Sequence, residues 1–183
     1  MNHRRLAVVV ALVACVPDSS RRGPGARDQA GEAADRPPLD LSTDGVWPSP
    51  YSTDPLWQRA ASGSDFDRAR LARKEGASSL LAALRVGGSL GRLALGALPY
   101  AGERREVLGR LCELISGTAA PTASLLVESI YEVVANGPVS EESVDPGAEA
   151  ACALQLRQLS ESDRASPEDR DRAASAIARL SAR

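Results

Sequence analysis

At 183 residues the chain has room for one domain and a tail, and its content of 43% hydrophobic and 25% charged residues is that of an ordinary globular protein. Aromatics make up only 3%, so a core must be built mainly from Leu, Ala and Val, which favours closely packed helices over a β-sandwich. The net charge is −2 and no basic patch stands out, which argues against nucleic acid as a main partner.

The chain opens with His3, Arg4 and Arg5, followed by an apolar run from Leu6 to Ala14. That run is too short to span a bilayer, which takes roughly 20 apolar residues, and it has the form of an export-signal core. Leu12-Val13-Ala14-Cys15 resembles the lipobox of bacterial lipoproteins. The resemblance implies a lipoprotein signal peptide over residues 1–14, cleavage before Cys15, a thioether-linked lipid on the Cys15 sulfur and an acylated amine. Several acyl chains at ~0.8 kcal/mol per buried methylene would anchor the protein stably to a membrane. Val16, where enteric lipoproteins retained at the inner membrane carry Asp, implies outer-membrane sorting if the cell has two membranes. The competing expectations are an ordinary secretory signal, at odds with the bulk of Leu12, and an uncleaved anchor, at odds with the length of the run.

From Val16 to about Pro50, Gly, Pro, Asp, Arg and Ser predominate with almost no apolar periodicity. Such a segment buries too little surface to offset its ordering entropy, so residues 15–52 read as the lipidated Cys and a disordered tether. Its expected span is roughly 30–35 Å. Trp47, Tyr51 and Trp57 near its end are read either as a cap on the open end of a helical core or as a short partner-binding motif.

Residues 53–183 read as a helical domain. Asp54-Pro55 starts a short helix. Asp65 can cap a second, with Phe66, Ala69 and Leu71 or Ala72 inward, interrupted at Gly76. Ala77, Leu80, Leu81 and Leu84 continue on one face to a stop at Gly87-Gly88. A central hairpin follows: Leu90, Leu93, Ala94, Ala97 and Leu98 form one stripe, Pro99 to Gly102 a turn, and Val107, Leu108, Leu111, Cys112 and Ile115 a second stripe. A further helix carries Leu126, Val127, Ile130, Val133 and Val134. Helices are also expected after Asp145-Pro146, with Cys152 and Leu156 inward, and after Ser166-Pro167. The fold class is therefore all-α, antiparallel helical hairpins forming either an α-solenoid or an irregular bundle. The run from Leu90 to Ile115 is similar to HEAT repeats, although Gly102-Glu103-Arg104-Arg105 stands where that family carries its turn Asp and Val-Arg.

Few constellations bear on chemistry. The single histidine is His3, which removes His-based triads and the common zinc sites; no metal or cofactor is expected. Cys112 and Cys152 could pair in an oxidising compartment, or remain two buried thiols on core faces. Glu141, Glu142 and Asp145 lack the oxygen spacing of a calcium loop. The glycines at 87, 88, 91 and 96 match neither a P-loop nor a dinucleotide fingerprint and read as sites of turning and close contact. Arg104, Arg105, Glu128 and Glu132 are the first candidates for a polar binding face.

The expected function is a lipid-anchored, non-enzymatic helical-repeat protein that binds another protein at the cell envelope. The alternatives are a pilot or assembly lipoprotein that escorts a subunit through an apolar groove, and a His-free hydrolase acting through Glu and Asp in a deep pocket.

Overall fold

Three helix starts in this chain are written as a short polar residue followed by proline: Asp54-Pro55, Asp145-Pro146 and Ser166-Pro167. Asp54 accepts from the Leu56 amide at 2.7 Å and Pro55 takes the first helical position, where its missing N–H costs nothing. The computed structural model describes residues 38–136 and 146–181. Cys15, the leader, the first part of the tether and the acidic loop at Glu141, Glu142 and Asp145 lie outside them. The elements are α1 (Pro55–Ser62), α2 (Asp65–Val86), α3 (Gly88–Ala97), a 3-10 turn (Leu98–Tyr100), α4 (Arg104–Ile115), α5 (Ala120–Asn136), α6 (Pro146–Ser160) and α7 (Pro167–Ser181). No strand occurs among the described residues, and the protein is all-α.

The helices pair as α2 with α3, α4 with α5, and α6 with α7. The first members, α2, α4 and α6, neighbour one another in order, and so do the second members, α3, α5 and α7. Leu93, Leu108, Leu111, Ile130 and Leu156 are all buried as the periodicity predicts. Phe66 is a correction: it is 68% exposed, because the first turn of α2 turns Asp65 and Arg68 to its neighbours and the helix first buries apolar side chains at Leu71 and Ala72. At Gly76 the backbone adopts φ 73°, a conformation that L side chains avoid. The freed Ala77 amide donates to Glu103 Oε2 at 3.3 Å, so the turn before α4 caps the resumed half of α2.

The segment assigned to the tether departs most from expectation. The packed unit begins at Pro38, not at residue 53, and Leu41 is fully buried. The segment from Pro38 to Trp47 is an arm laid over the start of α3. The Gly88 amide donates to Asp40 O at 2.9 Å and the Leu41 amide to Thr122 Oγ1 on α5 at 3.2 Å. Arg92 on α3 donates to the carbonyls of Leu41 and Thr43 and pairs with Asp44. Trp47 Nε1 donates to Ser89 Oγ at 2.9 Å, and Tyr51 meets buried Trp57 edge-on with ring centres 4.8 Å apart. A Cβ added at Gly87 or Gly88 would come within 3.0 Å of an arm carbonyl, and one at Gly91 would meet Leu41 Cδ2 at 2.6 Å. The three glycines are the seat of the arm. Buried Leu41, the Gly88–Asp40 backbone hydrogen bond and single side-chain contacts from Ser89, Arg92 and Thr122 hold it, and none of these leaves a periodic signature.

At the far end, Ser166 and Asp169 cap α7 reciprocally: the Asp169 amide donates to Ser166 Oγ at 3.1 Å and the Ser166 amide to Asp169 Oδ2 at 3.3 Å. Asp169 also accepts from Ser124 Oγ of α5 at 2.6 Å. Burial works to raise the Asp169 pKa, but the hydroxyls of Ser124 and Ser166, the Ser166 amide and nearby Arg172 together hold it below the usual carboxylate range.

Two predictions follow from these contacts. Leu41→Ala lowers stability by ~2–4 kcal/mol, read as a fall of about 5–10 °C in melting temperature, whereas Val46→Ser, at a position 98% exposed, stays within ~0.5 kcal/mol. Equal melting of the two variants would show that the arm contributes nothing. The depressed pKa of Asp169 means that its stabilisation is complete above the unfolded pKa near 4 and is lost as pH falls through the lower folded value. Asp169→Asn is therefore less stable than the parent by ~1–2 kcal/mol at pH 7, with the gap closing below about pH 4; urea unfolding across pH 2.5–7 checks it.

Candidate functional site

A concavity arises where α3 and the 3-10 turn form a floor between α2 and α5. Arg92, Leu95 and Gly96 are successive turns of one α3 face, which Pro99 and Tyr100 prolong. Asp65 and Arg68, one turn apart on α2, form one wall. Leu125, Glu128, Ser129 and Glu132, at helical spacing on α5, form the other. The Ser129 hydroxyl donates to Leu95 O at 3.1 Å and ties the wall to the floor. The cavity is about 370 Å³, within the roughly 300–1,000 Å³ range of small-ligand pockets.

Its charges are paired: each of Asp65, Arg68, Arg92 and Glu128 has an oppositely charged neighbour. Arg68 pairs with Asp65 at 3.1 Å and its side chain lies over Gly96, where an added Cβ would be 3.8 Å from Arg68 Cδ. Arg92 is turned to Asp44 and the arm carbonyls. Glu128 has Arg172 at 3.9 Å, but that guanidinium is held more closely by Glu168, at 2.7 Å. The Tyr100 phenol has a raised pKa, first from burial and then from the charges of Asp65 and Glu132, with Arg68 opposing and a hydrogen bond to Asp65 adding to the rise. It therefore remains protonated at neutral pH.

The sequence candidates separate in space. Glu128 and Glu132 line the cavity. Arg104 and Arg105 do not, and Arg104 is 5% exposed, buried at the first position of α4. The four residues therefore do not form one open polar face, because periodicity assigns a residue to a helix side but not to a neighbour. Asp65, Arg68, Arg92 and Tyr100 were not singled out from sequence. One signal was available for Arg92, the only charged residue in α3. Cys15 lies outside the described residues.

Cys112 and Cys152 are disulfide-bonded across α4 and α6, with Cα atoms 5.2 Å apart. Helix axes 8–10 Å apart do not preclude such a bridge, since each Cα stands about 2.3 Å off its axis and facing Cα atoms come several ångströms closer. Among the described residues, no three His, Cys, Asp or Glu side chains are arranged to hold a metal ion, and no helix is long and apolar enough to cross a membrane.

No protein-family model matches the chain, and neither a curated protein nor a solved structure is significantly similar to it.

The glycines of α3 provide a test of the cavity floor. Gly96→Ala places a methyl at ordinary contact distance from Arg68 and is expected to leave stability unchanged or raise it by up to ~1 kcal/mol through helix propensity. Gly91→Ala drives a methyl against Leu41 and the Leu84 carbonyl and is expected to cost ~1–3 kcal/mol. Chemical denaturation of the pair distinguishes them; a destabilised Gly96→Ala would mean that the floor is more tightly covered than described.

Proposed function

We propose that this protein is a lipid-anchored, non-enzymatic adaptor that binds another protein at the bacterial cell envelope, using a HEAT-like stack of helix pairs. The observation that carries the reading is the half-open cleft between α2 and α5, lined by charges of both signs over an apolar floor. Such a surface suits recognition of a polar partner segment better than escort of an apolar one, which would call for an apolar groove.

The neighbour pattern supports the repeat reading: first helices adjoin first helices and second helices adjoin second helices, the arrangement expected when hairpins stack in one direction. Export is supported by the lipobox-like Leu12-Val13-Ala14-Cys15 and by the Cys112–Cys152 bond, which persists in oxidising compartments. For the hydrolase alternative, Glu128 and Glu132 would have to act from opposite sides of a scissile bond, yet they stand on one wall, and Asp65 opposite them is bonded to Arg68 and Tyr100.

In the native host, wild-type protein is expected in the detergent-extracted membrane fraction and Cys15→Ser in the soluble fraction, with a mass difference corresponding to the lipid. Cross-linking of intact cells followed by purification is expected to recover one envelope protein. Equal membrane retention of both forms would overturn the anchor. Turnover of an envelope polymer abolished by Glu128→Gln alone would overturn the non-enzymatic reading.

A further inference from the structure

We propose that the shallow groove where the arm meets the end of α2 is a lipid-contacting face, which rests on the bilayer surface and orients the anchored domain. The presence of a bilayer rests on the lipid-anchored reading above, and the choice of face on the groove's own residues.

Two observations select this face. Apolar side chains are exposed together there: Val46 on the arm is 98% exposed and Val86, the last residue of α2, 51%. Both line one groove of about 90 Å³ with Trp47 and Pro48, and no charged residue lines it. A lone exposed apolar side chain needs no explanation, but two beside a tryptophan on one uncharged depression form a patch. The groove is far smaller than a ligand pocket of roughly 300–1,000 Å³, so its apolar rim suits a continuous medium better than an enclosed ligand. The second observation is that the chain arrives from its N-terminal side at the same place. The packed unit begins at Pro38, and the Asp40 carbonyl accepts from the Gly88 amide at 2.9 Å, close in sequence to Val86. Even fully extended, the chain from Cys15 to Pro38 reaches no further than roughly 80 Å. An anchored Cys15 thus keeps this end of the domain near the bilayer, where a contact too weak to hold a free protein is populated by a tethered one.

Trp47 is chemically fitted to an interface. Its Nε1–H already donates to Ser89 Oγ at 2.9 Å, so covering the ring with lipid leaves no indole donor unsatisfied. Tryptophan is enriched at bilayer–water boundaries for this combination of apolar ring and polar N–H. The arm carries Asp40 and Asp44, of which Asp44 pairs with Arg92. The contact is therefore apolar rather than electrostatic, and it forms on zwitterionic lipid without anionic headgroups.

The test uses the full chain, in which Cys15 is the one cysteine outside the Cys112–Cys152 bond. That thiol is coupled to a maleimide-bearing phosphatidylethanolamine in phosphatidylcholine vesicles, which supplies the anchor chemically whether or not cells lipidate Cys15. Lipids brominated near the headgroup end of the acyl chain then quench any tryptophan that meets them. The chain has two tryptophans, and Trp57→Phe and Trp47→Phe leave each in turn as the sole reporter. Trp47 is expected to lose at least half its emission and buried Trp57 almost none. Val46→Asp with Val86→Asp is expected to reduce the quenching of Trp47 at least twofold at equal coupling. Both valines are exposed, so this comparison is repeated with both tryptophans present and stands even where Trp57→Phe fails to fold. Unquenched Trp47, quenching that the aspartates leave unchanged, or quenching that requires anionic lipid would overturn the proposal. Dimerisation in lipid-free solution that Val46→Asp abolishes would overturn it in favour of a second copy as the occupant. An unlipidated Cys15 in the native host would remove the anchored reading, while a quenched Trp47 on coupled vesicles would still support the face. A lipidated Cys15 with Trp47 unquenched would overturn the face and leave the anchor, so the two failures are distinguishable.

Discussion

The fold depends on burying one short helix on nearly every side. In α3, Gly88, Leu90, Gly91, Leu93, Ala94, Leu95 and Ala97 are all buried, whereas a surface helix buries a single stripe. α2 packs along one side, the arm crosses the start, α5 closes another, and the 3-10 turn folds the chain away at the end. With few aromatic residues to fill space, this degree of enclosure is reached by letting backbones approach. Glycine and alanine make that approach sterically free, and dispersion contacts accumulate where atoms lie within about 4 Å. Were α3 bulkier, both the arm and the α5 wall would be held off.

Arg92 interrupts that enclosure and connects its two sides. It is the only charge on α3, and from one position it holds the arm through two carbonyls and Asp44 while bordering the cavity. Its stem lies against buried surface while its head reaches polar partners, the usual compromise for a long basic residue. The guanidinium is suited to this because its planar fork offers several donors in fixed directions. A lysine there would retain the charge without the geometry. The arm and the cavity are thus joined through one side chain.

The helices were legible because their signal is local: spaced Leu, Ala and Val, proline after a capping residue, and glycine at Gly76 and Gly87-Gly88. The buried identities of Leu108, Leu111, Ile130 and Leu156 follow from the same spacing. The arm was not legible. Between Pro38 and Trp47 the composition is that of a tether, and only Leu41 is fully buried. What holds the segment is hydrogen bonding to Arg92, Ser89, Thr122 and the Gly88 amide and the missing Cβ atoms of glycines some fifty residues away, a complementarity that no window along the sequence contains. The cavity was legible in part. Glu128 and Glu132 share a helix face, so their proximity is local, but their juxtaposition with Arg68, Arg92 and Tyr100 depends on three separate elements meeting. Arg104 illustrates the opposite error, a charge read as surface that tertiary packing covers.

The Cys112–Cys152 bond spans 40 positions of sequence, and the ring it closes contains the whole of α5. In the unfolded chain, closing a ring of that size removes conformational entropy equivalent to ~4 kcal/mol, so the helix that provides one wall of the cavity belongs to the part of the chain with the least freedom to lose on folding. The ring has a topological consequence as well. A backbone severed anywhere between Cys112 and Cys152 yields two fragments that stay covalently joined through sulfur. The helices before α5 and those after it would then remain one molecule, with the severed ends held at an effective concentration no separate fragments could reach.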